Sequence, residues 1–212
     1  LLITAADRRQ VVRYTMGAEG SPLNNVGNAA FAAPSFGSSR SLDGIDWSWA
    51  PDGSPADDYL VFSMKETVAS NYDLNLIRRD STGSPILLAT PSTSFNELDP
   101  VFSPDGTKIA YVRGVGGGNQ LFVCTIDYSA SPINCINEVQ LTHTATNQMP
   151  CWTYDGTHLL FVRSSGAANW DIYATSAASV DESIPPVNLT PDTAGTNEAH
   201  PACYPQDNSE LN

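Results

Sequence analysis

The chain has 212 residues, and its 23 acidic side chains against 10 lysines and arginines give a formal net charge of −13 at pH 7. This acidity argues against nucleic acid and anionic lipid as partners, because both are bound by clustered positive side chains. No run approaches the ~18 apolar residues of a membrane-spanning helix, so we expect no membrane span. The first residues, Leu1–Thr4, show no initiator methionine and no leader pattern, which is typical of a mature or excised chain.

Three short apolar runs occupy the N-terminal part of the chain: Leu1–Thr4, Gln10–Tyr14 and Ser21–Val26. They match the second, third and fourth strands of a unit that recurs further along the sequence. The first strand of that unit has no counterpart before them. We therefore predict that residues 1–40 supply three strands to a unit whose first strand comes from the C-terminus.

A motif built on an aromatic residue and an Asp-Gly turn recurs along the rest of the chain. Its copies are Asp46–Gly53, Asp99–Gly106, Met149–Gly156 and a degenerate fourth, His200–Asp207. When they are aligned on Trp49, Phe102, Trp152 and Cys203, the copies lie 53, 50 and 51 residues apart. Near-equal periods with matched side chains indicate an internal repeat.

Three further apolar runs follow each complete copy of the motif. The second runs are Tyr59–Phe62, Lys108–Val112 and His158–Val162, the third are Asp73–Ile77, Gln120–Val123 and Asp171–Ala174, and the fourth are Ile86–Ala89, Val139–Thr142 and Val187–Thr190. All are short, rich in β-branched and aromatic residues, and bounded by turn formers, which predicts strands. Four strands in a unit of about 50 residues are typical of the blade of a β-propeller.

The sequence therefore predicts an all-β fold, a β-propeller of four-stranded blades with four repeats of about 51 residues. We expect a single domain over residues 1–212, with blades at 41–95, 96–146 and 147–197. The last blade combines 1–40 with 198–212, and its closure by N- and C-terminal strands removes two open sheet edges. Two alternatives remain open: a fragment of a larger propeller, or a subunit whose last strand completes a neighbour's blade.

Six aromatic residues at matched strand positions are expected to fill the space between blades. They are Trp49, Phe62, Phe102, Tyr111, Trp152 and Phe161.

The four cysteines lack the spacing of a zinc or haem site. Cys124 and Cys135 lie eleven residues apart around a turn-rich segment, where a disulfide across the hairpin or a pair of half-buried thiols is expected. A disulfide would need an oxidising compartment. A bridge between Cys151 and Cys203 is less favoured, because the two cysteines lie at repeat positions that differ by one residue.

A search for catalytic motifs finds no nucleophile elbow, zinc-protease motif or phosphate-binding loop. The glycine-rich segment Gly114–Gly118 is predicted to connect two strands. The three histidines lie at different positions of the repeat, so we do not expect them to meet at one site. They are His143, His158 and His200. The glycosylation sequon Asn188–Thr190 coincides with the Leu-Thr pair that the repeat carries at this position. The repeat therefore explains these residues better than glycosylation does.

One set of polar residues precedes each first strand. Because that strand is innermost in a propeller, we predict that these residues line the rim of a central channel: Asp43, Asn96, Glu97, Asn147, Asn197 and Glu198. The four residues Asp43, Asn96, Asn147 and Asn197 could hold a hard cation such as Ca²⁺ through their oxygens. Glu97, Glu198 and Asp99 nearby would raise the local negative potential. The alternative is that these side chains cap the backbone of their own loops.

The tract Asn96–Tyr111 resembles the TolB-like propeller repeat, with its pattern P-x-[WF]-S-P-D-G-x-x-[IL]-[AV]-[FY]. Asp171–Tyr173 and Asn188–Thr190 are similar to that repeat's D-I-Y and L-T stations. Tyr154 and Cys203 depart from the motif, as does Ala50.

This resemblance implies an extracytoplasmic protein, periplasmic, secreted or on the cell surface. It implies a non-catalytic interaction module that binds a protein or peptide through the funnel of the propeller. Two alternatives stay open: a self-assembling subunit joined by exchange of terminal strands into a homo-oligomer or polymer, and the propeller portion of a larger hydrolase or lyase.

Overall fold

The structure is a computed structural model, and it describes residues 2–4, 11–13, 41–48, 59–67, 69–78, 85–90, 94–164, 169–178, 184–191, 197–198 and 200–203. Fourteen strands and no helix are found in these ranges. An all-β architecture follows from the short β-branched and aromatic runs that the turn residues separate. The predicted fold class is thus confirmed at this level.

Twelve of the strands form three antiparallel sheets of four, which we call blades 1, 2 and 3. Blade 1 contains β3 (Ser41–Trp47), β4 (Tyr59–Lys65), β5 (Asp73–Arg78) and β6 (Ile86–Leu87). Blade 2 contains β7 (Glu97–Phe102), β8 (Lys108–Val115), β9 (Gly118–Asp127) and β10 (Asn134–Gln140). Blade 3 contains β11 (Thr146–Trp152), β12 (His158–Ser164), β13 (Trp170–Ser176) and β14 (Val187–Asn188). In each blade the strands pair in chain order, and the first strands of consecutive blades contact one another.

The remaining strands, β1 (Leu2–Thr4) and β2 (Val11–Arg13), form an antiparallel pair. They coincide with the first two runs predicted at the N-terminus, whereas the third run, Ser21–Val26, lies outside the described residues. The fourth blade and its closure by the chain termini therefore stay predictions.

The strand register corrects the alignment of the first repeat. Trp47 pairs with Leu60, just as Phe102 pairs with Ile109 and Trp152 with Leu159. Trp47, not Trp49, therefore holds the aromatic station, and the spacing to Phe102 is 55 residues instead of 53. The shift arises because the connection between the first two strands is longer in blade 1 than in blades 2 and 3, so an alignment on its Pro-Asp-Gly sequence is displaced. Trp49 itself lies outside the described residues.

The predicted Asp-Gly turn forms between the first two strands of blade 2. The Asp105 carboxylate accepts hydrogen bonds from the Ser103 hydroxyl at 2.6 Å and the Thr107 amide at 3.0 Å. Gly106 has φ 69°, a left-handed conformation that glycine adopts without steric cost. The equivalent turn of blade 3 repeats both hydrogen bonds around Asp155.

Alternate residues of the second strand of blade 2 face opposite neighbours. Ile109 and Tyr111 lie in a core shared with blade 1, whereas Ala110 and Val112 lie in a core shared with blade 3. This follows from the two-residue period of a strand. Phe102, Tyr111, Trp152 and Phe161 are at most 5% exposed and lie between blades, as predicted. Phe62 is also buried, but it packs within blade 1 on the face away from blade 2.

The outer strand of blade 2, β10, begins earlier than the predicted run at Val139. The amide of Cys135 donates to the carbonyl of Ala89 in blade 1 at 3.1 Å. A disulfide joins Cys135 to Cys124 on β9, with Cα atoms 5.7 Å apart, which is one of the two alternatives that the sequence left open. These two connections fix the earlier segment against both neighbours, which is why it forms strand.

A second disulfide joins Cys151 to Cys203, with Cα atoms 5.8 Å apart. The expectation against this bridge was wrong. It assumed that bridged cysteines must occupy the same station of the repeat, whereas consecutive units make contact through different stations.

Candidate functional site at the inner strands

One residue in the left-handed conformation lies in the first strand of each of the three blades, and one lies at the matching position of the fourth repeat. These residues are Gly44 (φ 58°), Asp99 (φ 50°), Met149 (φ 53°) and His200 (φ 61°). In the three described blades they fall where the pairing with the second strand shifts register, which defines a β-bulge. Left-handed conformations are unfavourable for residues with a side chain, so the repetition marks a feature imposed by the fold.

The bulges of neighbouring blades contact one another. A Cβ atom on Gly44 would lie 3.0 Å from the Cα of Asp99, so glycine is required there for the close approach as well as for its φ. On the other side, the amide of Met149 donates a hydrogen bond to Oδ2 of Asp99 at 3.1 Å. We call Gly44, Asp99, Met149 and His200, together with the adjacent Asp43, the inner bulge cluster.

The electrostatics of this cluster centre on Asp99. Burial raises the pKa of Asp99, and the carboxylate of Asp43 on the neighbouring blade raises it further. The hydrogen bond from the Met149 amide and the nearby His200 act in the opposite direction. Two half-buried carboxylates from consecutive blades and an exposed histidine from the fourth unit therefore act on one another electrostatically.

Comparison with known proteins identifies the fold. No protein-family model matches the sequence, and neither does any curated protein. Among solved structures, TolB from Acinetobacter baumannii superimposes with a TM-score of 0.56 at 12% identity, over 90% of this chain and 40% of that one. A putative TolB from Agrobacterium tumefaciens gives 0.52 at 13% identity, over 85% of this chain and 56% of that one. This chain has the fold of a TolB-like β-propeller.

The resemblance predicted from the repeat is thereby confirmed at the level of fold. A puromycin-hydrolysing peptidase from Mycobacterium tuberculosis also superimposes, with a TM-score of 0.53 at 13% identity over 90% of this chain and 27% of that one. The chain spans less than two thirds of the length of each of these three proteins. No helix in the described ranges is long and apolar enough to cross a membrane.

Two of the predicted rim residues fasten one unit of the TolB-like fold to the next. The side-chain oxygen of Asn96 accepts a hydrogen bond from the amide of Tyr72 in blade 1 at 3.0 Å. Asn197 makes the same contact with the amide of Trp170 in blade 3, at 3.2 Å. Next to it, the amide of Glu198 donates to the carbonyl of Trp170. These side chains cap the backbone of the preceding blade, a variant of the capping role considered above.

Glu97, also predicted at the rim, lies inside the interface between blades 1 and 2, where it is 1% exposed. Its carboxylate is 2.7 Å from the guanidinium of Arg113, which lies 2.7 Å from Glu138 as well. The Thr90 hydroxyl of blade 1 donates to Glu97 at 2.6 Å, and the Tyr111 hydroxyl donates to Glu138. Burial raises the pKa of Glu97. The hydrogen bonds from Thr90 and Arg113 oppose this shift, because they stabilise the charged carboxylate.

Asn147 occupies the same position in blade 3 and is fully buried. Its side-chain oxygen accepts a hydrogen bond from Nε of Arg163 at 2.8 Å, and its amide donates to the carbonyl of Asn119 at 2.9 Å. The guanidinium beside Asn147 opposes a cation there by charge repulsion. No group of three or more His, Cys, Asp or Glu side chains is arranged to hold a metal ion in the described part of the chain. Calcium binding by the predicted set stays a prediction.

The other candidates from the sequence have structural roles. Gly116 and Gly117 form the tight connection between β8 and β9, both with positive φ. Asn188 of the sequon is half-buried, and its side-chain amide donates to Oδ2 of Asp171 at 3.0 Å and to the Tyr173 hydroxyl at 3.2 Å. A glycan would replace one of the two hydrogens on that nitrogen, so at least one of these contacts would be lost.

Sequence reasoning found only part of the inner bulge cluster. Asp43 was predicted at the rim and Asp99 close to it as a source of negative potential, whereas Met149 and His200 were not considered for it. A signal was present, because Asp99, Met149 and His200 each immediately precede the proline of the motif. Residues before proline favour extended conformations, however, so their left-handed geometry could not be read from that pattern.

Proposed function

We propose that this chain is a non-catalytic interaction module that binds a basic segment of a protein or peptide at the inner bulge cluster. The observation that carries the proposal is the close approach of two bulges, which brings Gly44 of blade 1, the neighbour of Asp43, against the backbone of Asp99 in blade 2. The negative charge of Asp43 raises the pKa of Asp99 across this contact. A positive group placed between two carboxylates relieves their repulsion. The net charge of −13 favours association with basic partners through its long-range field.

The partners of Asp99 favour binding over catalysis. Its carboxylate accepts a hydrogen bond from a main-chain amide, that of Met149, and its charged neighbours are Asp43 and His200. A catalytic carboxylate would instead need to orient a nucleophile or transfer a proton within hydrogen-bond reach of a substrate. The arrangement holds a fixed negative charge, which suits recognition of an ammonium or guanidinium group.

We place the protein in an extracytoplasmic compartment, the periplasm or the cell surface and its surroundings. The support is the two disulfides, Cys124–Cys135 and Cys151–Cys203. Disulfides persist in oxidising compartments and are rare in the reducing cytosol.

A binding assay tests the proposed function directly. Fluorescently labelled twelve-residue peptides rich in Lys and Arg should bind, and peptides of equal length rich in Asp and Glu should not. The substitution Asp99→Asn keeps an oxygen that can accept the Met149 hydrogen bond while removing the charge. It should weaken binding of the basic peptides about tenfold, equivalent to about 1.4 kcal/mol, with a smaller effect at high salt.

The matched control is Asp155→Asn, which removes one charge from an exposed turn at the other end of a first strand. It should leave peptide affinity unchanged within about twofold, because an exposed distant charge is screened. Equal binding of basic and acidic peptides, or equal effects of the two substitutions, would contradict the proposal.

A second candidate, the propeller portion of a larger hydrolase, is supported by the superposition on the puromycin-hydrolysing peptidase, of which this chain covers 27%. Under that reading the isolated chain has no peptide affinity of its own, so the same binding assay separates the two candidates.

A further inference from the structure

One pair of stations mediates contact at each described interface between consecutive units. The first station is the aromatic one, three residues after the left-handed bulge: Phe102 in blade 2 and Trp152 in blade 3. The amide of Phe102 donates to Oδ2 of Asp46 in blade 1 at 2.8 Å. The indole nitrogen of Trp152 donates to the carbonyl of Val101 in blade 2 at 3.2 Å.

The acceptors in these two contacts also share one station. Asp46 immediately precedes the aromatic residue Trp47, and Val101 immediately precedes Phe102. Each contact thus joins the aromatic station of one unit to the residue before that station in the preceding unit. This offset of one position is a property of how neighbouring blades pack.

The second disulfide follows the same rule. Cys203 lies three residues after the left-handed His200, at the aromatic station of the fourth unit, and Cys151 immediately precedes Trp152 in blade 3. The Cys151–Cys203 bond is therefore a covalent link between the same two positions that are joined by a hydrogen bond, of a different kind in each case, at the other two interfaces. The fourth unit carries a cysteine where blades 2 and 3 carry an aromatic residue, and a reductant can open the bond it forms.

The two disulfides differ in access. Cys124 and Cys135 are 0% and 7% exposed and belong to the core between blades 1 and 2. Cys151 and Cys203 are both half-buried. Thiol–disulfide exchange requires that a thiolate reach a sulfur atom, so the more accessible bond is attacked first.

We propose that the Cys151–Cys203 disulfide is a redox-sensitive clasp that fastens the fourth unit to blade 3 and is opened selectively by small dithiols. One thiolate of the dithiol attacks a disulfide sulfur to give a mixed disulfide. Its second thiolate then closes an intramolecular disulfide in the reductant. The net reaction transfers two electrons and two protons to the protein, leaving both cysteines as thiols.

Opening the clasp releases the segment that carries His200, which is part of the inner bulge cluster. Two other contacts of the fourth unit then have less support: Asn197 to the Trp170 amide and the Glu198 amide to the Trp170 carbonyl. The proposal does not depend on the identity of a ligand, because it concerns the attachment of the fourth unit alone.

Two measurements on the intact chain test the clasp. The first treats native protein with a small dithiol, alkylates it and quantifies each cysteine by mass spectrometry. Cys151 and Cys203 should react at least about tenfold faster than Cys124 and Cys135, and all four should react alike in denaturant. Equal native rates would overturn the selectivity.

The second measurement follows amide hydrogen exchange before and after reduction. The Glu198 amide should exchange at least about tenfold faster once the clasp is open, because its bond to Trp170 is released. The matched control is the Glu97 amide, which makes the equivalent bond to the Tyr72 carbonyl at an interface without a clasp. The double variant Cys151→Ser with Cys203→Ser should reproduce the reduced pattern without reductant. An unchanged Glu198 rate in both the reduced protein and the variant would overturn the proposal.

Discussion

Replacing Arg113 with methionine is expected to lower the free energy of unfolding by about 3–5 kcal/mol at pH 7.5. The guanidinium is 3% exposed and lies 2.7 Å from carboxylate oxygens of both Glu97 and Glu138. Its removal leaves two carboxylates without their cation, one of them in the core between blades. Urea unfolding of both proteins, followed by tryptophan fluorescence, measures the difference.

The pH dependence distinguishes this mechanism from a simple loss of packing. Without Arg113 the pKa of Glu97, already raised by burial, rises further, because the neighbouring positive charge is gone. Protonation then relieves the cost, so the destabilisation should be smaller at pH 5 than at pH 7.5. The control Lys108→Met removes a cation from the same strand and should cost less than about 1 kcal/mol. A cost for Arg113→Met that does not change with pH would contradict the account.

Replacing Asp46 with asparagine is expected to stabilise the protein at neutral pH. Burial raises the pKa of Asp46 from 3.8 to about 6, although hydrogen bonds from the backbone of Phe102 and Trp47 oppose the shift. The folded state therefore binds the proton more tightly than the unfolded chain. The favourable contribution of this proton is complete below pH 3.8 and is lost as the pH rises to about 6.

The loss corresponds to about 2–3 kcal/mol, from 1.36 kcal/mol for each unit of pKa. The stability of Asp46→Asn relative to wild type should therefore rise by that amount between pH 3.5 and pH 7, measured by urea unfolding at several pH values. The control Asp127→Asn should show the opposite trend, because hydrogen bonds from Ser129 lower the pKa of Asp127. If the relative stability of Asp46→Asn stayed constant with pH, the pKa of Asp46 would be the same in the folded and unfolded states, which would contradict the expected shift.

Local patterns were sufficient to predict the strands and most of the core. The two-residue period of Ile109, Ala110, Tyr111 and Val112 assigns alternate side chains to opposite blades, and an Asp-Gly turn follows the first strands of blades 2 and 3. A local pattern fails where loop length varies. The first hairpin of blade 1 is longer than those of blades 2 and 3. The repeats were aligned on the Pro-Asp-Gly residues and not on the strand pairing, so Trp49 was assigned to the aromatic position in place of Trp47.

The candidate site was predicted less well because it depends on contacts between units. The convergence of Gly44, Asp99 and Met149 arises from bulges in three strands, and a bulge has no strong signature when the residue is not glycine. Likewise, the polarity of Glu97 and Asn147 indicated a surface position. Buried partners, Arg113 and Arg163, satisfy these side chains inside the interfaces.

One packing rule is central. The residue at the aromatic station of one unit contacts the residue that immediately precedes that station in the neighbouring unit. Its most direct test is to map the disulfides of the native, unreduced protein by proteolysis and mass spectrometry. We expect two linked pairs, Cys124 with Cys135 and Cys151 with Cys203. A link between the two pairs, or free thiols at Cys151 and Cys203 in protein from an oxidising compartment, would contradict it.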